Sequence, residues 1–466
     1  AAASRAAPGT FDAGFLASRR VDVHGDTRLK VAGPFVEMAQ STQGWSMVAV
    51  RPFYSQVDST DPAGKRLARD YLWPLGTRRD LGNESQSRYL LLFSFRHDDP
   101  QPKQRYRFWL LPVYYQGRDA QGRRYAAVFP LGGTIREFLG RDEISFVLFP
   151  LRSTSRLNEL RTSNWLWPLI SETKGEGVYR MRFFPFYGRS VLQGQYEKRF
   201  VLWPIWNSVR YDYARSSGGG YILFPLWGHV RLTDQERWWP IPPLFRYTRG
   251  EQQQVLYCPW PFVQRVKGKD LDKFYLWPLW TQKRMGDYNS RAVLWPLISD
   301  KTWVSGGEKG HRFMLAPIFT WETRRLLEEA DSAQPPRMRA HRVWPVYSYR
   351  REGSESLFRT LELWPFAPAA SVERNWAPFW TIFSRVRSED RRDTELLWGL
   401  YRGEQRGADG RAYSLFPLFD WRRDEGGGAG SWSFLKGLVG REGTGSHRSW
   451  RLLYFITFGD AEEPPP

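Results

Sequence analysis

One short motif, an apolar or aromatic residue followed by proline and a second apolar residue, recurs roughly every 19 residues along almost the whole chain. Full copies include Leu72-Trp73-Pro74-Leu75, Leu148-Phe149-Pro150-Leu151, Leu166-Trp167-Pro168-Leu169, Leu202-Trp203-Pro204-Ile205, Leu276-Trp277-Pro278-Leu279 and Leu294-Trp295-Pro296-Leu297. Looser ones include Phe184-Pro185-Phe186, Cys258-Pro259-Trp260 and Phe416-Pro417-Leu418, and the segments around Phe93, Gly399, Gly437 and Phe455 keep the spacing without the proline. A fixed period means one small structural unit copied and stacked on its neighbours. Between the motifs lie turn formers such as Gly175-Glu176-Gly177, Gly268-Lys269-Asp270 and Gly306-Gly307, which supply the positive φ of tight hairpins.

Each unit therefore reads as one strand of about 10–14 residues plus one turn. The expected fold is all-β: an antiparallel up-and-down meander of about 20–24 strands. Proline cannot donate to a sheet ladder, so a proline in every strand implies a bend or bulge at one level of the sheet. A Ser, Thr, Gly or Asn follows three residues after many of the prolines, as at Ser153, Ser171, Gly188, Asn207, Gly228 and Thr281. A small residue there leaves room for an indole from the neighbouring strand.

Alternation then bears on the environment. In Phe200 to Asn207 one face carries Phe200, Leu202, Pro204 and Trp206, and the other Val201, Trp203, Ile205 and Asn207. Read as one strand, this is apolar on both faces, unlike a sheet with one side in water. A large closed barrel is the leading expectation; about 23 strands would close at a diameter of roughly 45 Å. A multilayer or propeller-like soluble β-repeat fold is the alternative. The apolar band of six or seven tilted residues covers about 16–20 Å, short of the roughly 25 Å of outer-membrane barrels, with Arg and Tyr at its ends to extend it.

Composition sharpens the choice of partner. The 466 residues include 24 Trp and 32 Pro and carry a formal charge of +19. Trp in that number belongs in a core or at a boundary between apolar and wet phases, and the charge favours anionic partners. No run approaches the roughly 18 apolar residues of a spanning helix. Cys258 is the only cysteine, so no internal disulfide forms, and it is expected to be buried and inert.

The chain divides into an N-terminal extension (1–28), one tandem repeat domain (29–458) with an inserted loop at 324–338, and an acidic, Pro-rich tail (459–466). The absence of an initiator Met and of an apolar leader fits either a mature form after removal of a signal peptide or a trimmed chain. Near the end, Trp450, Leu452, Tyr454, Ile456 and Phe458 alternate strictly. This segment resembles the final strand of outer-membrane β-barrels, although Gly459 to Pro466 follow its last aromatic. The tandem Trp-Pro motif itself resembles uncharacterised repeat proteins of the Gram-negative cell envelope, and that resemblance carries no activity with it.

No catalytic constellation stands out. The six histidines are scattered singly, and there is no phosphate-binding loop, nucleophile elbow or dinucleotide fingerprint. Gly132 to Asp142 breaks the repeat slightly and reads as a cap or turn. Catalytic, cofactor and metal residues are accordingly expected to be absent, and so are cofactors. Basic residues at strand ends, apart from aromatics at strand centres, argue against a nucleic-acid stacking platform, which needs the two mixed on one face.

The expectation is a non-enzymatic β-barrel of the outer membrane or extracytoplasmic envelope, structural, lipid-associated or pore-forming, and possible as a homo-oligomer. Trp73, Trp167, Trp203, Trp206, Trp277, Trp280, Trp295, Trp344 and Trp364 are its expected interface aromatics. Arg199, Arg210, Lys273 and Arg284 are expected to meet anionic headgroups of membrane lipid or lipopolysaccharide. A secreted β-repeat scaffold binding glycans or proteins through its loops is the alternative.

Overall fold

The computed structural model describes residues 10–61, 64–90, 92–98, 105–329, 335–423, 430–444 and 447–459. It is an all-β antiparallel meander, as expected, but with 46 strands rather than 20–24. Each repeat contributes two strands, most of five to eight residues, because the proline motif is a turn and not the middle of a strand. Strand Tyr196–Val201 ends at Leu202-Trp203-Pro204-Ile205, and strand Trp206–Tyr213 returns, with Val201 facing Trp206. In many of these turns the bond before proline is cis.

The reason lies in the residue itself. Proline has no N–H to give to a ladder, so it sits where none is needed, at the tip between two strands. The apparent two-faced apolar strand is thus a four-residue apolar tip flanked by two short strands. Some of these strands are polar throughout their bodies: Arg152–Leu157 reads Arg-Ser-Thr-Ser-Arg-Leu and Leu160–Trp165 reads Leu-Arg-Thr-Ser-Asn-Trp.

The expected closure into a barrel does not hold: the sheet is open. Among the described residues the first strand, Phe11–Ala13, pairs only with Ala17–Val21, and the last, Ile456–Gly459, only with His447–Leu452. That last pair also splits the alternating C-terminal segment. A turn at 453–455 makes Trp450 and Phe458 cross-strand partners instead of residues of one strand.

Pairing begins at Phe11, inside the stretch read as an extension. The inserted loop consists of the end of strand Phe319–Leu326, a 3-10 turn at Leu327–Glu329 and the approach to strand Met338–Val343, while its residues 330–334 lie outside the described residues, as do 460–466 of the tail. Gly132 to Asp142 is the tip of a hairpin joining Gly132–Phe138 to Arg141–Val147. Where the repeat predicts strands centred on Trp364 and Pro378, the chain forms an irregular segment at 361–369 and two short helices, Ala370–Asn375 and Ala377–Trp380. No helix among the described residues is long and apolar enough to cross a membrane.

By their internal contacts the residues form two units, Asn83–Val304 and the combination of Ala1–Gly82 with Ser305–Pro466. In Asn83–Val304 the strands from Glu84–Tyr89 to Ile298–Ser305 pair in sequence order, so proline turns fall on one edge and Gly/Asn/Asp turns on the other.

Candidate functional site

The proline edge of Asn83–Val304 is the feature that the repeat makes twelve times over. Its tips carry aliphatic and aromatic side chains that the fold leaves in water: Leu131 is 61 % exposed, Trp203 50 % and Leu226 65 %. One residue further in, a row on one face continues the apolar character. It runs through Val147, Arg152, Trp165, Ile170, Phe183, Tyr187, Val201 and Trp206, and on to Val293 and Ile298. Arg152 is the exception, and its guanidinium lies 5.3 Å from the Trp165 ring centre. The opposite edge is made of Asn158-Glu159, Glu176-Gly177, Lys269-Asp270 and similar tips, with Leu139 as an apolar exception.

The two faces of this sheet also differ. The inner face, defined here as the more buried one, carries the small residues expected three positions after proline. Gly188 faces Phe200, and a Cβ on Gly188 would overlap that ring. Gly117 is covered in the same way by Tyr125. The neighbour that the small residue admits is thus a Phe or Tyr ring at these positions. A compact cluster of Tyr115, Tyr125, Ala127, Ile135 and Phe146 lies on this face.

The expected interface aromatics gather on the proline edge. Trp167, Trp203, Trp277 and Trp295 are at the tips, and Trp206 and Trp280 open the strands that follow. In the other unit Trp73 and Trp344 also sit in proline turns. Trp364 lies in the irregular segment before the helices, its ring 6.5 Å from that of Trp73. The expected headgroup cations do not share one place. Arg199 bonds Glu197 at 2.6 Å on the outer face; Arg210 and Arg284 lie toward the glycine edge; Lys273 is on the inner face, 4.2 Å from the centre of the Tyr275 ring. Cys258, expected to be buried, is exposed, since its Cys-Pro pair belongs to a tip.

In the other unit, strands of Ala1–Gly82 lie against strands of Ser305–Pro466 through ion pairs. Lys30 meets Glu395 at 2.8 Å, Arg20 meets Glu404 at 2.6 Å and Arg402 meets Asp12 at 2.8 Å. Asp70, fully buried, accepts from Arg79 at 2.6 Å, Arg374 at 2.7 Å and Asn375 at 2.9 Å. The two segments also meet through rings, Phe15 on Phe416 and Phe35 on Phe379 of the second short helix.

Between these layers lies a cavity of about 700 Å3, lined by Arg20, Lys30, Arg51, Asp393, Glu395 and Arg402 among others. Burial pushes the Glu395 carboxyl up, but Lys30 and Arg402 outweigh it and hold it at about 2. Burial, reinforced by Glu404 opposite it in the ladder, raises Asp393 to about 6. Asp393 and Glu404 face one another across the ladder, and Glu404 is already engaged by Arg20. Among the described residues no group of three or more His, Cys, Asp or Glu is arranged to hold a metal.

The sequence missed both this ionic layer, which joins residues 365 positions apart, and, apart from Lys273, the cations of the inner face, whose side depends on turn length. No protein-family model and no curated protein matches the chain.

Proposed function

We propose that the protein is a non-enzymatic, lipid-associated component of a cell envelope that lies on a membrane by its proline edge. The carrying observation is segregation along the strand direction: apolar tips and one nearly unbroken apolar row of the outer face at one edge, rows that mix charged and apolar residues behind them, and polar turns at the far edge. A tip plus one row is roughly 5–10 Å deep, the depth at which interfacial elements rest at the boundary of headgroups and acyl chains. It falls well short of the roughly 25 Å that a spanning barrel presents to lipid. Strand bodies such as Arg152–Leu157 and Leu160–Trp165 are too polar to face hydrocarbon. Monomeric soluble proteins rarely leave a contiguous apolar surface of this extent uncovered. Trp and Arg beside the tips suit the interfacial zone.

Co-sedimentation of the purified chain with phosphatidylcholine vesicles tests this. Binding is expected, with a blue shift of Trp emission and quenching by lipids brominated near the headgroup. A chain that stays in the supernatant at every lipid concentration would sink the proposal. Steady ion conductance across a planar bilayer would replace the surface-lying geometry with a spanning one.

A further inference from the structure

The charge of the chain is unevenly shared. Asn83–Val304 holds 33 Lys and Arg against 19 Asp and Glu, a surplus of 14, whereas the other unit holds 35 against 30, a surplus of 5. In that other unit the opposing layers neutralise each other by ion pairs. The surplus of Asn83–Val304 has a definite location.

Tracing register partners from Gly132–Phe138 to Ile298–Ser305 gives two inner-face rows nearest the proline edge. The first runs from Gly133 to Ser299 and the second from Ile135 to Lys301. Neither contains an Asp or Glu. The second row contains Arg180, Lys198, Arg237, Lys273, Lys283 and Lys301. Among the described residues none of the six pairs with a carboxylate. Arg180 donates to the Tyr196 hydroxyl at 3.3 Å, Arg237 to Gln235 at 3.1 Å and Lys273 to Gln264 at 2.7 Å. The outer face of the same strands is different: Arg199 with Glu197, Lys174 with Glu172 and His229 with Glu236 are matched pairs.

Two of the inner cations are placed at a cost. Lys273 and Lys283 are directly opposite in the ladder, an arrangement that disfavours the sheet unless a counter-charge sits between them. Burial and Lys283 together push the Lys273 ammonium below its ordinary range. Lys301 lies two strands beyond Lys283 in the same row, through Ser290.

We propose that this row, centred on Lys273, Lys283 and Lys301, binds the phosphate of anionic lipid headgroups. This rests on the reading of the proline edge as the lipid-facing one. The row is about three residues, roughly 10 Å, from the tips, so it stands at headgroup level when the tips reach the acyl boundary. Nucleic acid fits less well. Base stacking needs open ring faces, and the rings on this face carry their own cations: Lys273 over Tyr275, Arg246 over Tyr257, Lys198 over Tyr196.

The full chain is tested on vesicles of phosphatidylcholine alone and on vesicles with roughly one-third phosphatidylglycerol. The wild type binds the anionic vesicles more tightly. The triple variant Lys273→Gln, Lys283→Gln, Lys301→Gln loses most of that gain, roughly 100-fold if each lysine contributes about fivefold. It keeps its affinity for phosphatidylcholine. The control Lys174→Gln, Arg249→Gln, Arg284→Gln removes the same charge from the outer face and keeps the gain. Equal loss in both triples reduces the effect to net charge and overturns the assignment, as does no loss in the inner triple. A wild type that binds neither vesicle defeats the lipid reading itself. If it then binds a single-stranded oligonucleotide through the same three lysines, the face belongs to nucleic acid and the proposal falls. The folding control is Lys283→Gln alone, which relieves the like-charge pair and melts no lower than wild type in low-phosphate buffer; a lower melting point contradicts the unpaired state on which the site depends.

Discussion

Replacing Leu148, Leu166, Leu202 and Leu294 with asparagine separates what the tips do for the fold from what they do for lipid. Each leucine opens a proline turn with φ between 46° and 48°, a left-handed conformation that costs a non-glycine residue roughly 1 kcal/mol. Asparagine tolerates that region better. Each leucine is also about half exposed, at 53, 47, 48 and 47 %. Fully burying a leucine is worth about 1.5–3 kcal/mol, so transfer of the exposed half into a membrane contributes roughly 1 kcal/mol per tip. Without lipid, the quadruple variant is expected to unfold in urea at the same or a higher midpoint, because relief of strain offsets the packing lost by the buried halves. With phosphatidylcholine vesicles its partition coefficient is expected to fall by about 4 kcal/mol, close to three orders of magnitude. Equilibrium unfolding followed by far-ultraviolet circular dichroism and sedimentation with vesicles give the two numbers. Unchanged partition would refute the role of the tips; a drop in urea midpoint worth several kcal/mol would show that they are core residues.

Gly188→Val is expected to destabilise the sheet by about 1–3 kcal/mol by driving a side chain into the Phe200 ring, and Phe200→Ala in the same chain should restore much of the loss in chemical unfolding. Asp70→Ala leaves Arg79 and Arg374 facing one another beside buried Asn375, and about 3–5 kcal/mol should disappear from the thermal or urea unfolding free energy. Titration gives two opposite signs. Glu395 binds its proton more weakly folded than unfolded, so its stabilisation is present above about pH 4.5 and is lost as pH falls toward 2. Asp393 binds its proton more tightly folded, so stability is lost as pH rises from about 3.8 through 6; Asp393→Asn should raise stability at pH 8 by about 1–3 kcal/mol and leave it unchanged near pH 3.5, as read from urea midpoints.

That the aromatics form an edge was hidden, since they read as strand centres, but the meander and its period were legible in the chain because they depend on local pattern. The strand count was not. Counting Leu202 to Ile205 as part of a strand doubled the apparent strand length and made Phe200 to Asn207 look apolar on both faces. Two signals pointed the other way. A proline in nearly every copy is incompatible with a central strand, and a 19-residue period equals two six-residue strands with two turns. The small residue at Gly188 was readable as space for an aromatic, because it sits at a fixed distance from proline. Lys30 and Glu395 could not be paired in advance, since nothing local joins positions so far apart. The row of Lys273, Lys283 and Lys301 was hidden for another reason. Whether a residue is inside or outside follows from parity across a turn, and parity needs the turn length.

Among the described residues of Asn83–Val304 each hairpin is hydrogen-bonded only to the hairpins before and after it. Excising or duplicating one period therefore leaves the parity of every other strand untouched and alters the proline edge by one tip. On the proposed reading of that edge, grip on a membrane would be set by copy number, in integer steps of similar free energy, and lengthening would require only tandem duplication in the gene. Such a chain would adjust its hold by counting, with no change in the composition of any single repeat.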